Sequence, residues 1–190
     1  TITNSAGCSA TSSQVGVTVN PLPSVTLSAS PYVRLMPGLS TTLQANVTPA
    51  GTYTYTWLKN GSVFNITTGS QLNINHDDIG DYRVSVTGAG GCTGISGLLA
   101  IMDSVSTKFF ILPNPSNGQF EVIYYSAGSN THTLNIFDSR GALVYRKAFA
   151  IAAPYQRMPV DIRQHGKGIY HIALVDKTGK IIASGQAVIQ

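Results

Sequence analysis

The feature that most constrains this chain is a recurrence of short runs in which apolar and polar side chains alternate, joined by turns in which Gly, Pro and Asn recur. Alternation with a period of two puts the apolar residues of an extended run on one face, and that face must be buried against a second layer. Helix formers are correspondingly scarce. Glu occurs once, as Glu121, only 11% of the 190 residues are charged, and there are 19 Gly and 9 Pro. The expected fold class is all-β, in one or two domains each large enough to bury its own core. No apolar run approaches the roughly 18 residues of a membrane-spanning helix, and the N-terminus has neither a basic nor an apolar leader region. Neither a membrane helix nor an intact signal peptide is expected.

Residues 1 to 10 match residues 85 to 94 at an offset of 84. Thr3, Gly7 and Cys8 recur as Thr87, Gly91 and Cys92. Each copy reads as a strand, a Gly-rich turn holding a Cys, and a second strand, with Val15, Val17 and Val19 alternating in the first copy and Leu99 and Ile101 in the second. An interval of 84 residues is about the length of one small β-sandwich. Residues 1–20 are therefore expected to be the last hairpin of an upstream repeat, and the chain the C-terminal end of a longer array. Asn20-Pro-Leu-Pro23 makes a stiff linker, because Pro cannot extend a central strand.

Residues 24–102 form the next expected domain, with strands at 25–29, 40–47, 53–59, 71–74, 81–87 and 98–102 and a tight turn at Asn60-Gly61. Trp57 and the segment Asp78-Ile-Gly-Asp-Tyr82 resemble an immunoglobulin-like domain, whose core Trp lies between the sheets and whose corner Tyr hydroxyl bonds back to the backbone. Val84, with Leu43 and Ala45 opposite, stands where an antibody domain has its inter-sheet disulfide. Cys8 and Cys92 lie about one module apart, so a bond between them is not expected.

After the polar connector Asp103, Ser104, Val105, Ser106 and Thr107, residues 108–190 carry seven further strand signals, at 109–112, 119–125, 132–137, 142–149, 156–162, 169–175 and 180–189. Charge changes here as well. The first 107 residues are about neutral, whereas residues 108–190 hold nine bases against four acids, a net of +5. A basic excess can point to nucleic acid, an acidic membrane or an acidic protein face, but these bases are spread singly along the strands without the aromatic interleaving of single-strand binders. A solvated face is the default reading.

Four motifs follow in order: Leu112-Pro-Asn-Pro-Ser-Asn-Gly-Gln-Phe120, Leu134-Asn-Ile-Phe-Asp-Ser-Arg-Gly-Ala-Leu-Val144, Gly166-Lys-Gly-Ile-Tyr170 and Asp176-Lys-Thr-Gly-Lys180. Together they resemble the type A C-terminal sorting domain of the Bacteroidetes type IX secretion system, over essentially all of residues 108–190. The architecture expected from both resemblances is tandem immunoglobulin-like β-sandwiches, the last a seven-stranded sorting-domain sandwich.

The resemblance implies a folded signal on a cargo protein that reaches the cell surface or the extracellular space through the periplasm and outer membrane. Implied partners are an outer-membrane translocon, a shuttle β-barrel protein and a sortase-like surface protease that cuts in the connector. Candidate sorting or partner-binding residues are Pro113, Asn114, Pro115, Asn117, Gly118, Asp138, Arg140, Gly141, Gly168, Tyr170, Gly179 and Lys180. Tyr170 reads equally as a core side chain or a contact, and the turn glycines equally as folding elements. The last strand, running to Gln190, is expected to be an edge open to strand addition.

No catalytic constellation is legible, so no enzyme activity is expected. His76, His132, His165 and His171 are scattered, and Gly94-Ile-Ser-Gly97 lacks nucleophile-elbow spacing. Cofactors and metals are not expected. His76-Asp77-Asp78 with Asp81 offers hard oxygen ligands for Ca²⁺, but Asx capping of the corner is the simpler reading. Asn46, Asn60 and Asn65 match the N-glycosylation pattern, and Asp103-Ser104-Val105 resembles a bacterial O-glycosylation pattern. Two rival readings remain: an adhesin whose immunoglobulin-like domain grips glycan through exposed Tyr53 and Tyr55, or the tail of a secreted enzyme with its catalytic domain upstream.

Overall fold

A computed structural model of the chain describes residues 1–17, 20–128 and 130–190. The chain opens with a small hairpin, β1 (Ile2–Thr3) against β2 (Ser9–Ala10). Residues 11–17 continue without regular structure, and Val15 and Val17 are exposed. The strand expected there is absent over the described residues, because no other strand lies alongside to satisfy its backbone; Val19 falls outside them.

The first sandwich consists of β3 (Ser24–Ser30), β4 (Arg34–Leu35), β5 (Ser40–Thr48), β6 (Tyr53–Lys59), β7 (Ser62–Thr67), β8 (Gln71–Asn75), β9 (Gly80–Gly88), β10 (Thr93–Ile95) and β11 (Leu99–Asp103). One sheet has the order β3-β5-β8 and the other β4-β11-β9-β6-β7, with β10 paired to β9. Alternate residues point inward. Leu43, Leu72 and Ile74 of the first sheet meet Trp57, Val84 and Val86 of the second in one buried cluster. Trp57 is fully buried and its indole N–H donates to Thr67 Oγ1 at 3.0 Å, which satisfies the one polar atom in its interior. Val84, Leu43 and Ala45 do occupy the inter-sheet space, and both cysteines are free thiols.

Asn60 and Gly61 turn β6 into β7 with φ of +51° and +83°, the mirror-image turn whose twist suits a hairpin. The linker Asn20–Pro23 packs against the Gly-rich β9–β10 hairpin. A Cβ on Gly90 would lie 2.3 Å from Asn20 Nδ2, and one on Gly94 would lie 2.1 Å from the Pro23 carbonyl oxygen. These glycines permit the close approach.

The second sandwich has β12 (Phe109–Leu112), β13 (Gln119–Tyr124), β14 (Asn130–Phe137), β15 (Leu143–Ile151), β16 (Arg157–Asp161), β17 (Gly168–Val175) and β18 (Ile181–Ile189). Its sheets are β12-β13-β16 and β15-β14-β17-β18. Inward residues Phe120, Val122, Met158 and Val160 of the smaller sheet pack on Leu134, Ile136, Ile172 and Leu174 of the larger. The molecule is thus all-β, with two sandwiches each holding a separate core.

Candidate functional site

The Pro-Asn-Pro-Ser-Asn-Gly loop does more than turn the chain. The Asn114 amide donates to the Gln186 carbonyl at 2.8 Å and accepts from the Val188 N–H at 2.8 Å. Two residues on, the Ser116 N–H donates to the Val188 carbonyl and the Gln190 N–H to the Ser116 carbonyl, each at 2.9 Å. Asn114 and Ser116 therefore act as a short false strand along the outer side of β18. The expectation of an open last strand is corrected: its C-terminal half has its backbone groups taken. Gly118 ends the loop at φ +100°, and a Cβ there would sit 2.8 Å from Arg163 Cα. Its carbonyl accepts from the Ile162 N–H at 2.9 Å, so the loop is also tied to the smaller sheet's exit. Asn117 caps the turn by accepting from the Gln119 N–H, whereas Pro113 and Pro115 are exposed.

Two further motifs are hairpin turns of one design. The Asp138 N–H donates to the Ala142 carbonyl and the Gly141 N–H back to the Asp138 carbonyl, with Gly141 at φ +84°. Asp176, Gly179 and Lys180 repeat this arrangement, Gly179 at φ +87°. In each, the leading carboxylate accepts from backbone N–H groups inside the turn, Arg140 and Ala142 for Asp138, Thr178 and Lys180 for Asp176. Those bonds hold both carboxyls below the usual carboxylate range. For Asp138 the Ala142 N–H is the leading cause, and for Asp176 the Thr178 hydroxyl. The same turn recurs at Asn4 to Cys8 and at Gly88 to Cys92, with Gly7 and Gly91 at positive φ. The register also matches at the offset of 84, Thr3 facing Ser9 as Thr87 faces Thr93. The two Cys hairpins therefore share a turn and a register, in a turn form that Asp138 to Ala142 and Asp176 to Lys180 also adopt.

Tyr170 is a core residue, 4% exposed, which favours the first of its two readings, core side chain or contact. Its hydroxyl donates to the carbonyls of His165 at 2.6 Å and Gly166 at 2.9 Å. Tyr82 in the first sandwich bonds the Asp78 carbonyl in the same way, four residues back. Both tyrosines follow a short 3-10 turn, His76–Asp78 or Arg163–His165, and both are preceded two positions earlier by a glycine at φ +152°. Burial raises the Tyr82 phenol well above its ordinary pKa. A shared G-x-Y was the available sequence signal that Gly166 to Tyr170 is a second tyrosine corner.

Strand register places these parts. Gly168 faces Ile189 and Phe137 faces His171, so loop 113–118, turn 138–141, Gly168 and the β18 terminus gather at one end of the second sandwich. Gly179 and Lys180 lie at the opposite end, where β17 turns into β18. That end meets the first sandwich. Arg157 donates to Asp77 at 2.7 Å and to Glu121 at 2.5 Å, joining the two modules. Tyr155, 3% exposed, has His76, Phe110 and Tyr125 around its ring and donates its hydroxyl to the Ser104 carbonyl at 2.6 Å. The connector is accordingly shorter than expected. Asp103 pairs with Leu35 as part of β11, and Ser104 is pinned on both sides by Leu35 and Tyr155. Val105 is 71% exposed, and Thr107 and Lys108 are also exposed.

The remaining polar clusters hold structure together. Asp77 is engaged by Arg157, and Asp78 accepts from the Asn75 N–H in a reciprocal cap. No group of three His, Cys, Asp or Glu side chains converges among the described residues. Ser126 Oγ lies 3.2 Å from His132 Nε2, a serine–histidine pair not foreseen from the sequence, and both residues are buried. Tyr53 and Tyr55 are not an exposed aromatic pair either. Tyr55 is buried against Trp57 with ring centroids 6.4 Å apart, and half-buried Tyr53 donates to the Pro49 carbonyl.

Residues 110–189 match the family model described as "Secretion system C-terminal sorting domain". The match coincides with the second sandwich, from β12 to β18. Such a domain implies contact with a secretion machinery and export to the cell surface or extracellular space. No curated protein sequence matches the chain. Among solved structures, the chain is similar to the human OSCAR ligand-binding domain, at 15% identity and a TM-score of 0.38, covering 90% of this chain and 100% of that one. It is similar also to dimeric latent PorU from Porphyromonas gingivalis, at 13% identity and a TM-score of 0.35, covering 88% of this chain and 20% of PorU. A third is the mixed-linkage glucan locus SGBP-B of Bacteroides ovatus, at 15% identity and a TM-score of 0.34, covering 91% of this chain and 48% of that one.

Proposed function

We propose, from the match of residues 110–189 to sorting domains of a secretion system, that residues 108–190 are the folded type IX export signal of a larger cargo protein. The immunoglobulin-like domain at 24–102 serves as a spacer, and neither sandwich is an enzyme. The outer-membrane translocon and shuttle barrel read the folded shape, and a sortase-like protease cuts after Ser104, in the stretch 105–108 that the neighbouring strands leave free. The observation that carries this reading is that the matched residues form a complete seven-stranded sandwich with a core of their own. A rigid signal of this kind presents fixed turns at little entropic cost to its reader. Proteolysis in turn favours an exposed polar segment between ordered strands.

The test is a transplant. Residues 103–190 fused to a foreign passenger carrying an export peptide should bring that passenger to the medium or cell surface of a host with the type IX system. Passenger retained in the periplasm of the competent host would overturn the proposal.

A further inference from the structure

The edges of the second sandwich are not equivalent. β18 is covered by Asn114 and Ser116 over residues 186 to 190. β16 carries Pro159 in mid-strand, which removes a donor and blocks regular pairing. β15 is the last strand of the four-stranded sheet, nine residues long, with β14 as its sole strand partner among the described residues. Gln156 caps only its far end, donating to the Ala150 carbonyl and accepting from the Ala152 N–H. Those two groups face away from β14. By the period-two alternation of a strand, the N–H and C=O of Arg146 and Ala148 face the same way, with no partner among the described residues.

Beside this edge lies a groove of about 630 Å³ at the open mouth of the sandwich. Tyr145 and Lys147 of β15 wall one side, and Phe120, Glu121, Pro159 and Asp161 wall the other. Tyr145 and Lys147 face Ile136 and Leu134, so they lie on the inner side of the sheet. A strand added to β15 would drop its own inward side chains into this groove. The charge on offer is positive. Glu121 and Asp161 are already held by Arg157 and Arg163, whereas Arg146 and Lys147 have no acidic partner among the described residues.

We propose that β15 is the docking edge of the sorting-like sandwich, and that its occupant is an extended partner strand with apolar residues at alternate positions and acidic residues between them. The inference deepens the export reading, on which it rests for the existence of a partner. Backbone pairing supplies affinity, the groove takes the inward apolar side chains, and Arg146, which points to the opposite face from Lys147, selects the outward acidic ones.

The experiment uses the whole 190-residue chain and a synthetic heptapeptide alternating Val and Glu, with a Val/Lys heptapeptide as control. The acidic peptide should bind, more weakly as salt rises, and slow hydrogen exchange at the Arg146 and Ala148 amides; the basic one should not bind. Ala148→Pro removes an outward N–H without touching the β14 ladder and should weaken binding at least tenfold. A folded Arg146→Glu variant should do the same and carries the test if the proline variant fails to fold. The proposal is overturned by no binding of the acidic peptide, by binding indifferent to these variants, by protection appearing on β18, or by β15 pairing with a second copy of the chain. Because the assay needs no secreting host, its failure is separate from failure of the passenger transplant.

Discussion

The hydroxyl of Tyr155 donates to the carbonyl of Ser104 at 2.6 Å, so a side chain of the second sandwich holds the exit of the first. Tyr155 adopts φ +51°, a region that costs a bulky residue about 1–3 kcal/mol. Packing of its ring among His76, Phe110 and Tyr125 offsets that strain, and the connector between the sandwiches is shortened as a result.

Opening this clasp should expose the connector. Tyr155→Ala is expected to raise the rate of tryptic cleavage after Lys108 about tenfold, the rate factor for roughly 1.4 kcal/mol of easier opening. Tyr155→Phe, which loses only the hydroxyl bond, should cost about 1 kcal/mol and speed cleavage less. Mass spectrometry of the fragments reads the site, and equal rates in all three proteins would show that the clasp does not guard the connector.

The two tyrosine corners should behave alike. Tyr82→Phe leaves the Asp78 carbonyl short of its donor and Tyr170→Phe those of His165 and Gly166, and each should destabilise its own sandwich by about 1–3 kcal/mol. Trp57 is the single Trp, so its fluorescence in urea should shift for the first variant. Circular dichroism follows the second.

Gly118 and Gly141 should separate strain from crowding. Gly118→Ala meets both an unfavourable φ and the Arg163 backbone, and should cost about 2–4 kcal/mol. Gly141→Ala meets open space and should lose only the conformational part, about 1–2 kcal/mol. Thermal melts compare them directly.

Asn114→Ala removes both bonds to β18 and should cost about 1–3 kcal/mol while speeding exchange of the Val188 amide. Asn114→Asp keeps the acceptor for that amide and should preserve its protection.

Acid should weaken the second sandwich first. Side-chain bonds from Arg163 hold Asp161 down to about 2, and turn donors lower Asp138 and Asp176. A carboxyl whose folded pKa is depressed contributes stability above its unfolded value, near 3.9, and loses it as pH falls through the folded value. Melting temperature should be flat from pH 7 to about 4 and fall between about 4 and 2. Asp161→Asn should flatten part of that slope.

Strands with clean alternation were legible in sequence. β6 and β12 lie at the expected residues, and the other expected strands of both sandwiches differ by a few residues at their ends. β7 escaped because Val63, Phe64 and Ile66 are all exposed and no buried face imposes a pattern. β4 escaped because it is two residues long and gains its pairing only from β11, distant in sequence. Among the candidate site residues, the motif glycines and aspartates were visible as turn formers, whereas the burial of Tyr170 and the covering of β18 by Asn114 were not.

By itself the sequence determined the all-β class, the repeat, the turns and the sorting-domain likeness, since these follow from residue type and spacing over a few positions. Only the tertiary structure decided which edge stays open, which tyrosines are buried and where the connector begins. Those depend on contacts between residues 50 to 80 positions apart, Tyr155 with Ser104, Arg157 with Asp77 and Asn114 with Gln186, for which no local pattern exists.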